Sequence, residues 1–561
     1  MKTYSSILIK NTLIVDGTGT TPYYGSIFIK NKKIAKIIAP TDSICDLQDE
    51  NIAKHDSLDD NCTEIANITI DGSGLITSPG FIDVHSHNDL VPFMKEDLQN
   101  LKLFQGVTTE LVGQCGLGAA PCNDDINPGW RDYIKGVVGE PNENCDFKDF
   151  KAFIDKLSSS KLANNYAALI SHGAIRASVI GFEGRVATDA EIKAMCVLIK
   201  DAMESGAFGM SLGLQYMPGI FSSKNELIEL CKVVALHNGI VMVHLRNHDI
   251  SITNALDEMI EVAKVSGVML HISHLRSYAS ETLGCRGDIL CDKVNAARNN
   301  GISLTFDEHV YLSGSTLLTQ LLPPWITAGG NDQMIKRLKK QPLLKKLQSE
   351  LTDPSVHYDG WDNYSLLAGF ENIMITSVNS LTNKVYVGRT IGYISLDLNI
   401  DPFDFFVKLL LEEGSGVGIV TLNVFSEEDL ETLLLHPFQM IGSDSIPAGR
   451  PHPRLYGNYP LFIGKFVRER QLLSIEEAIR KATSLPAKTL GIKDRGILAV
   501  GMAADIAMFD LNEICGKENY FDPTLPPLGI RHVIVNGGLA LFGGKICQGS
   551  FGEVIHPSSM K

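Results

Sequence analysis

The sequence predicts an α/β protein, an eight-stranded parallel barrel of TIM type joined to a smaller sheet drawn from both chain ends. Three observations predict it. Between about residues 78 and 485, apolar strand-like runs alternate with helical patterns, as consecutive βα units require. Several of these runs close on a polar residue, and barrel enzymes carry their chemistry at strand C-termini. The two ends of the chain each supply short strands with too little apolar surface to stand alone.

In chain order, Ser6 to Lys10, Thr12 to Val15, Gly25 to Ile29 and Lys33 to Ile38 read as strands, separated by turn signals at Gly17, Gly19 and Asn31-Lys32. Residues 45–64 are polar, acidic and without period, and read as a surface loop. Ile65 to Ile70 is a further strand, followed by the turn Asp71-Gly72-Ser73-Gly74. The barrel opens with Ser78-Pro79-Gly80-Phe81-Ile82-Asp83-Val84-His85-Ser86-His87, where strand alternation puts Phe81, Asp83, His85 and His87 on one face. Later strand ends are expected at Cys115, His172, Leu212, Leu245, His274, Asp307 and Asp444, with helices over 146–160, 188–204, 223–237, 250–265 and 288–300. The interval from Asp307 to Asp444 exceeds one βα unit, so an insertion is expected near 320–370, with a solvated helix over 336–350. Beyond it, Thr390 to Leu410 and Glu427 to Leu435 read as helical around a strand from Val417 to Leu422. Gly496 to Val500, Asp505 to Phe509, Arg531 to Gly538 and Leu539 to Phe542 complete the strands. The expected division is residues 1–76 and 486–561 as two halves of one small domain, and 77–485 as the barrel. A doubly wound sheet would want Gly-x-Gly-x-x-Gly after its first strand, which is missing.

With 561 residues, of which 44% are apolar, the chain is large enough for one big domain and one small one. A formal charge of −15 without a concentrated Lys/Arg face argues against a nucleic-acid partner. The 11 cysteines follow no framework spacing and are odd in number, which suits reduced thiols in the cytoplasm. The first residues hold too short an apolar stretch for a secretory signal, and no apolar run reaches the ~18 residues of a membrane span. The expected partner is a small molecule. No residue pattern sets an oligomeric state.

Cys115 ends the run from Gly106 to Gly116, at a strand-to-loop switch; it reads as a small buried hydrophobe or as a thiolate ligand. His244 closes Gly239 to His244, and His274 closes Val268 to His274, with His271 on the opposite face. One thiolate and two imidazoles make good zinc chemistry and leave a position for water. Such wide separation in sequence suits a barrel and not a structural finger. Asp444, in Gly442-Ser443-Asp444-Ser445, reads as a turn residue or as a proton acceptor beside an activated water. Arg450-Pro451-His452-Pro453-Arg454 and Arg276 offer guanidinium groups that could pair with a substrate carboxylate, or stand as surface charges.

Taken together these stretches resemble the amidohydrolase superfamily and, within it, the D-aminoacylase (N-acyl-D-amino-acid deacylase) family. The resemblance runs through Ser78 to His87, Gly106 to Pro121, Ser171 to Arg176, Gly209 to Pro218, His244-Leu245-Arg246, Ile272-Ser273-His274, Asp307 to Thr316, Gly442 to Asp444, Arg450 to Arg454 and Gly501 to Ile506. It implies a TIM-type (β/α)8 barrel with a β-sandwich domain built from both chain ends. It also implies a tight Zn2+ on Cys115, His244 and His274, and a second, weakly occupied metal position at His85 and His87 that Cys115 bridges. Asp444 corresponds to the catalytic acid/base, and Tyr216, Arg276, Tyr311 and Arg454 to the residues that bind the substrate carboxylate. Four features depart from the family pattern: Arg276 replaces a usual Lys, His248 a usual acidic residue, His309-Val310-Tyr311 a usual Tyr-Pro-Tyr, and the loop after Asp444 is one residue shorter.

The activity so implied is zinc-dependent hydrolysis of N-acyl-D-amino acids to a carboxylate and a free D-amino acid. A cyclic-amide hydrolase of the hydantoinase or dihydroorotase type is the alternative. Those enzymes resemble this chain in the first motif but rely on a carboxylated Lys at the fourth strand, and Gly209 to Leu214 contains no Lys. A non-enzymatic barrel scaffold would be expected to have lost ligands that this chain keeps.

Overall fold

The structure, a computed structural model, describes residues 6–39, 66–278 and 284–558; the loop expected at 45–64 lies outside the described residues. The two chain ends build one sheet. Its nine strands run Lys545–Ile546, Gly538–Phe542, Ile530–Val535, Ile506–Phe509, Ile76–Pro79, Ser6–Ile14, Tyr23–Lys30 and Lys33–Ile38, with Ile68–Asp71 added beside Ser6–Ile14. At the seam between the ends, Ile506 lies antiparallel to Pro79 and Phe509 to Ile76. Ile7, Ile9, Ile27 and Ile29 from one end pack with Ile506, Met508 and Ile534 from the other, so neither half has a core of its own. Burying each such side chain is worth about 1.5–3 kcal/mol.

Two differences from the expected strands have local causes. Ser6–Ile14 is one strand, not two; its register shifts between Ile9 and Thr12, where Asn11 takes a left-handed φ of 57°, a conformation Asn tolerates. Residues 496–500 form no strand. Gly496 and Gly501 have φ of 91° and 89°, and the segment crosses as a loop whose Leu498 N–H donates to Asp16 O at 2.9 Å.

The barrel follows. Its strands are Phe81–Asp83, Val107–Val112, Asn165–Ala168 continued by Ile170–Ser171, Gly209–Gly213, Ile240–His244, Met269–Ile272, Leu304–Glu308 and Gln439–Ile441. Neighbours pair in parallel in that order. The circle closes between the last strand and the first: Asp444 N–H donates to His85 O at 2.8 Å, and His87 N–H to Ser445 O at 3.0 Å. The expected helices are present as Phe150–Ser159, Asp189–Glu204, Lys224–Leu236, Ile252–Ser266 and Gly287–Asn299. Thr188 starts one of them with a capping box to Glu191, satisfying two N–H groups that would otherwise lack partners. Barrel and end sheet are fastened by Asp505, which pairs with Arg495, accepts from Asn536 N at 2.6 Å and takes Asn165 Nδ2 of the third barrel strand at 3.0 Å.

Between the seventh and eighth strands the chain makes an excursion over 309–438, wider than the expected 320–370. Its two ends are tied by an antiparallel sheet of Gly314–Leu317, Gly418–Thr421 and Ile373–Ser377. Leu318, Ile375, Phe405, Phe406, Leu410 and Ile419 give it a separate apolar core. The extent was not readable because its boundary is a long-range strand pair with no local marker. No helix among the described residues is long and apolar enough to cross a membrane.

Candidate active site

At the C-terminal ends of the strands the backbone turns sharply at the residues that carry chemistry. Cys115, His274 and Asp444 have φ of 53°, 34° and 49°, a region that costs a side-chain-bearing residue strain and clusters at functional sites. The turn after the second strand depends on glycine: Gly113 has φ 83°, and a Cβ there would lie 2.3 Å from Leu169 O.

The result is one buried cluster. Cys115, His244 and His274 offer ligand atoms within 4.8 Å of one another, as do His85, His87 and Cys115, and His85, His274 and Asp444. Cys115 Sγ lies 3.3 Å from His85 Nε2 and 3.6 Å from His274 Nε2. His244 Nδ1 is 3.0 Å from His274 Nε2. Asp444 Oδ1 is 3.5 Å from His85 Nε2 and 3.3 Å from His87 Nε2. A thiolate and imidazoles at this separation suit a zinc-type ion, and the overlap of groups at His85, Cys115 and His274 provides for one or two ions.

The electrostatics agree with that chemistry. Burial alone would raise the Cys115 thiol, but His85, His244 and His274 hold it well below its ordinary value, as a thiolate. Burial would likewise raise Asp444; Arg454, His85 and His87 hold it well below the carboxylate range. Burial disfavours charge on His87, yet contacts with Asp444 and Cys115 bring it to about 9. Burial lowers His244 to about 4, so its imidazole is neutral and keeps a lone pair. The two buried anions are thus balanced here by His85, His87 and Arg454, and a divalent cation held between them would supply that positive charge instead.

Behind the cluster, Asp307 receives His85 Nδ1 at 3.1 Å, His271 Nε2 at 2.8 Å and the His274 backbone N–H at 3.0 Å. A carboxylate behind an imidazole fixes which ring nitrogen faces a metal. Asp307 marked only a strand end in the sequence, and the His271 beside it on the barrel interior gave no further signal.

The four residues expected at a carboxylate lie in different surroundings. Arg454 and Tyr216 line the cavity at the cluster. Arg454 Nη1 lies 2.9 Å from Asp444 Oδ2 and 3.0 Å from His309 Nε2, while its buried Nε and Nη2 have no partner. Tyr216 Oη sits 2.9 Å from Thr316 Oγ1. Arg276 also lines the cavity, and each of its guanidinium nitrogens donates one hydrogen bond within the protein. It pairs with Glu308, donates to His309 O and, at 2.8 Å, to Tyr311 O, and stacks on Phe425 at 4.5 Å. The Tyr311 hydroxyl donates to Glu518, and Tyr311 is not among the residues that line this cavity.

His248, Tyr278, His309 and Phe425 line the same cavity without having been singled out as binding residues. Neither ring nitrogen of His248 has a hydrogen-bond partner, and burial with neighbouring His244 and His274 keeps it neutral. His309 directly follows the seventh strand, a position that could have marked it; Phe425, far along the insertion, had no such signal. The cavity is tight, ≈ 30 Å³. A larger one of ≈ 330 Å³ lies between barrel mouth and insertion, and Gln215, which bonds His244 at 2.8 Å, is part of its wall. The chemistry belongs to the small cavity, since the larger one is lined by none of the clustered ligand residues.

The amidohydrolase family model matches residues 69–299 and 411–539 of this chain. The chain is 28% identical over 532 residues to the D-aminoacylase of Alcaligenes xylosoxydans xylosoxydans, covering 95% of this chain and 93% of that protein. It is 27% identical over 532 residues to the N-acyl-D-glutamate deacylase of the same organism, covering 95% and 92%. The crystal structure of N-acyl-D-glutamate deacylase from Bordetella bronchiseptica, complexed with zinc and a phosphonate mimic of the reaction's tetrahedral intermediate, superposes with a TM-score of 0.79. That match has 27% identity and covers 98% of this chain and 99% of that one. An L-hydantoinase from Arthrobacter aurescens reaches a TM-score of 0.54 at 15% identity, a likeness of fold alone. With agreement this long in both sequence and fold, the chain belongs to the amidohydrolase family, in its D-aminoacylase branch.

Proposed function

We propose that this protein is a zinc-dependent hydrolase that cleaves the amide bond of N-acyl-D-amino acids, releasing a carboxylate and a free D-amino acid. The observation that carries the reading is one cavity holding both a thiolate–imidazole donor set and, on Arg454, two buried N–H groups without partners. Cys115, His244 and His274 would hold the tighter ion, and His85 and His87, with Cys115 nearby, could hold a second, weaker one. The chemistry such an ion supplies when held here is polarisation of the acyl carbonyl and acidification of the attacking water.

The chain's own groups do the rest. Asp444 accepts the proton of the attacking water and delivers it to the departing amine nitrogen, which leaves as the free amino acid. Arg454 takes the substrate carboxylate through its free Nε–H and Nη2–H, a fork matched to two carboxylate oxygens. Tyr216 lines the wall beside it. Arg276, also in the cavity wall, holds the backbone of 309–311 in place and adds positive potential there. A space of ≈ 30 Å³ admits only a water or two, so a bound substrate needs the lining side chains to give way. A cytoplasmic setting belongs to the same reading and is supported by nine free cysteines among the described residues.

The test is a panel of N-acyl-D- and N-acyl-L-amino acids with zinc supplied. Turnover of the D-series is expected. Hydrolysis confined to cyclic amides such as hydantoins would replace this reading with the cyclic-amide alternative.

A further inference from the structure

His244 is held from behind by a residue outside the ligand set. Its Nε2 lies 2.8 Å from Gln215 Oε1, and the other end of that amide, Gln215 Nε2, donates to Asp362 Oδ2. Asp362 comes from the insertion, 147 residues along the chain from Gln215. Its carboxylate is already committed as an acceptor on both oxygens: Oδ1 takes Asn247 Nδ2 at 3.0 Å, and Oδ2 takes the His248 backbone N–H at 2.9 Å. The three side chains in the line are buried, Gln215 at 4% exposure, Asp362 at 1% and His244 at 4%.

These contacts leave one arrangement. Asp362 accepts, so the NH2 of Gln215 must face it and the carbonyl oxygen must face His244. An amide oxygen cannot donate, so His244 must carry its proton on Nε2. The lone pair then sits on Nδ1, the nitrogen 3.0 Å from His274 and turned to the cluster with Cys115. A flipped amide would set the Gln215 carbonyl oxygen against the Asp362 carboxylate oxygen, two acceptors face to face, and lose that hydrogen bond in a buried place, costing about 1–3 kcal/mol.

We infer that Gln215, itself oriented by Asp362 of the insertion, is a positioning residue that fixes the tautomer and direction of His244 and so sets the affinity of the site for its metal. The inference rests on the reading of His244 as a ligand. It makes seating of the insertion on the barrel a condition for tight metal binding, since the Asp362 carboxylate arrives only when the segment around Trp361 is docked. Outer partners of this kind typically change metal affinity 10- to 100-fold.

The experiment measures zinc affinity of the full chain by competition with a chromophoric chelator, for wild type, Q215M, D362A, D362N, the Q215M/D362A double variant and H244N. Melting temperatures of the metal-free proteins are recorded alongside. Q215M and D362A are expected to bind zinc 10- to 100-fold more weakly, and the double variant no more weakly than Q215M, because both act through one line of contacts. D362N keeps an oxygen for Gln215 Nε2 and is expected to recover most of the affinity. In cobalt-substituted protein the thiolate-to-metal absorption should shift in Q215M. Wild-type affinity in Q215M, or a double variant that sums the two losses, would overturn the inference. Wild-type affinity in H244N would instead remove the ligand reading beneath it. If Q215M does not fold, the D362A and D362N pair decides alone: equal affinities in those two overturn the relay.

Discussion

Replacing Asp444 by Asn separates chemistry from structure at this site. Asn has nearly the shape of Asp and tolerates the left-handed backbone, φ 49°, that this position adopts, so neither a cavity nor backbone strain is added. What is lost is the proton acceptor, which should lower kcat by about 10²- to 10⁴-fold, or roughly 3–5 kcal/mol of transition-state stabilisation. The structure adds a second effect in the opposite direction. Asp444 Oδ2 occupies Arg454 Nη1 at 2.9 Å, and a neutral amide holds a guanidinium far less strongly. Freed, that nitrogen joins Nε and Nη2 as a donor to the substrate carboxylate. One hydrogen bond between charged groups is worth about 1.5–3 kcal/mol, so KM should hold steady or fall, by at most about 10- to 100-fold, while kcat collapses. Cys115, His244 and His274 are untouched, and at least one equivalent of zinc should remain. One preparation of D444N measured for zinc content, melting temperature, kcat and KM decides it. Near-wild-type kcat with a lowered melting temperature would reduce Asp444 to a turn residue and refute the proton-transfer role.

Other expectations follow from the same contacts. R454M should raise KM on the order of 10²-fold, whereas R276M should mainly lower stability, by about 3–5 kcal/mol, because it leaves buried Glu308 without its counter-ion; substrate saturation curves and denaturant melts separate them. Y311F should leave KM unchanged and cost about 1–3 kcal/mol of stability through the lost Glu518 bond, and a raised KM would return Tyr311 to the substrate. Burial lowers the Lys481 ammonium to about 7, although Glu477 lies 3.7 Å away. Between about pH 7 and 10 the unfolded chain therefore binds a proton that the folded chain does not, so this residue's contribution to stability rises with pH. Urea melts of wild type minus K481M should rise by of the order of 1 kcal/mol per pH unit across that window, and a flat difference would discount the shift.

The sequence exposed the metal cluster because its members sit where apolar runs stop, and in a barrel every such stop opens onto the same mouth. That logic locates a residue but not the direction of its side chain. For Arg276 and Tyr311 the sequence showed the position beyond a strand but not that one would donate to the backbone of 309 and 311 and the other to Glu518. That Arg454 lies beside Asp444 was not marked by any local pattern beyond the Pro-stiffened loop that carries it. Gln215 and Asp362 were not legible, since their meaning lies in a contact between a barrel loop and an insertion that no periodicity connects.

The seam between the chain ends also constrains how the protein is made. Ile76–Pro79 waits for Ile506–Phe509, a partner roughly 430 residues downstream, before its outer edge is covered. Closing so long a loop adds little to the equilibrium cost, since the entropy grows only as the logarithm of length. The delay in time is considerable: at about 5–20 residues per second, a ribosome needs roughly 20–90 s to produce the missing strand. Throughout that interval the strands from Ser6 to Pro79 expose an unpaired edge and half a hydrophobic face, with Ile7, Ile9, Ile27 and Ile29 lacking the residues that later cover them. Production of the protein should therefore depend on how well this nascent segment is shielded. Charged substitutions that blunt its waiting edge should raise soluble yield without changing the melting temperature of protein that has already folded.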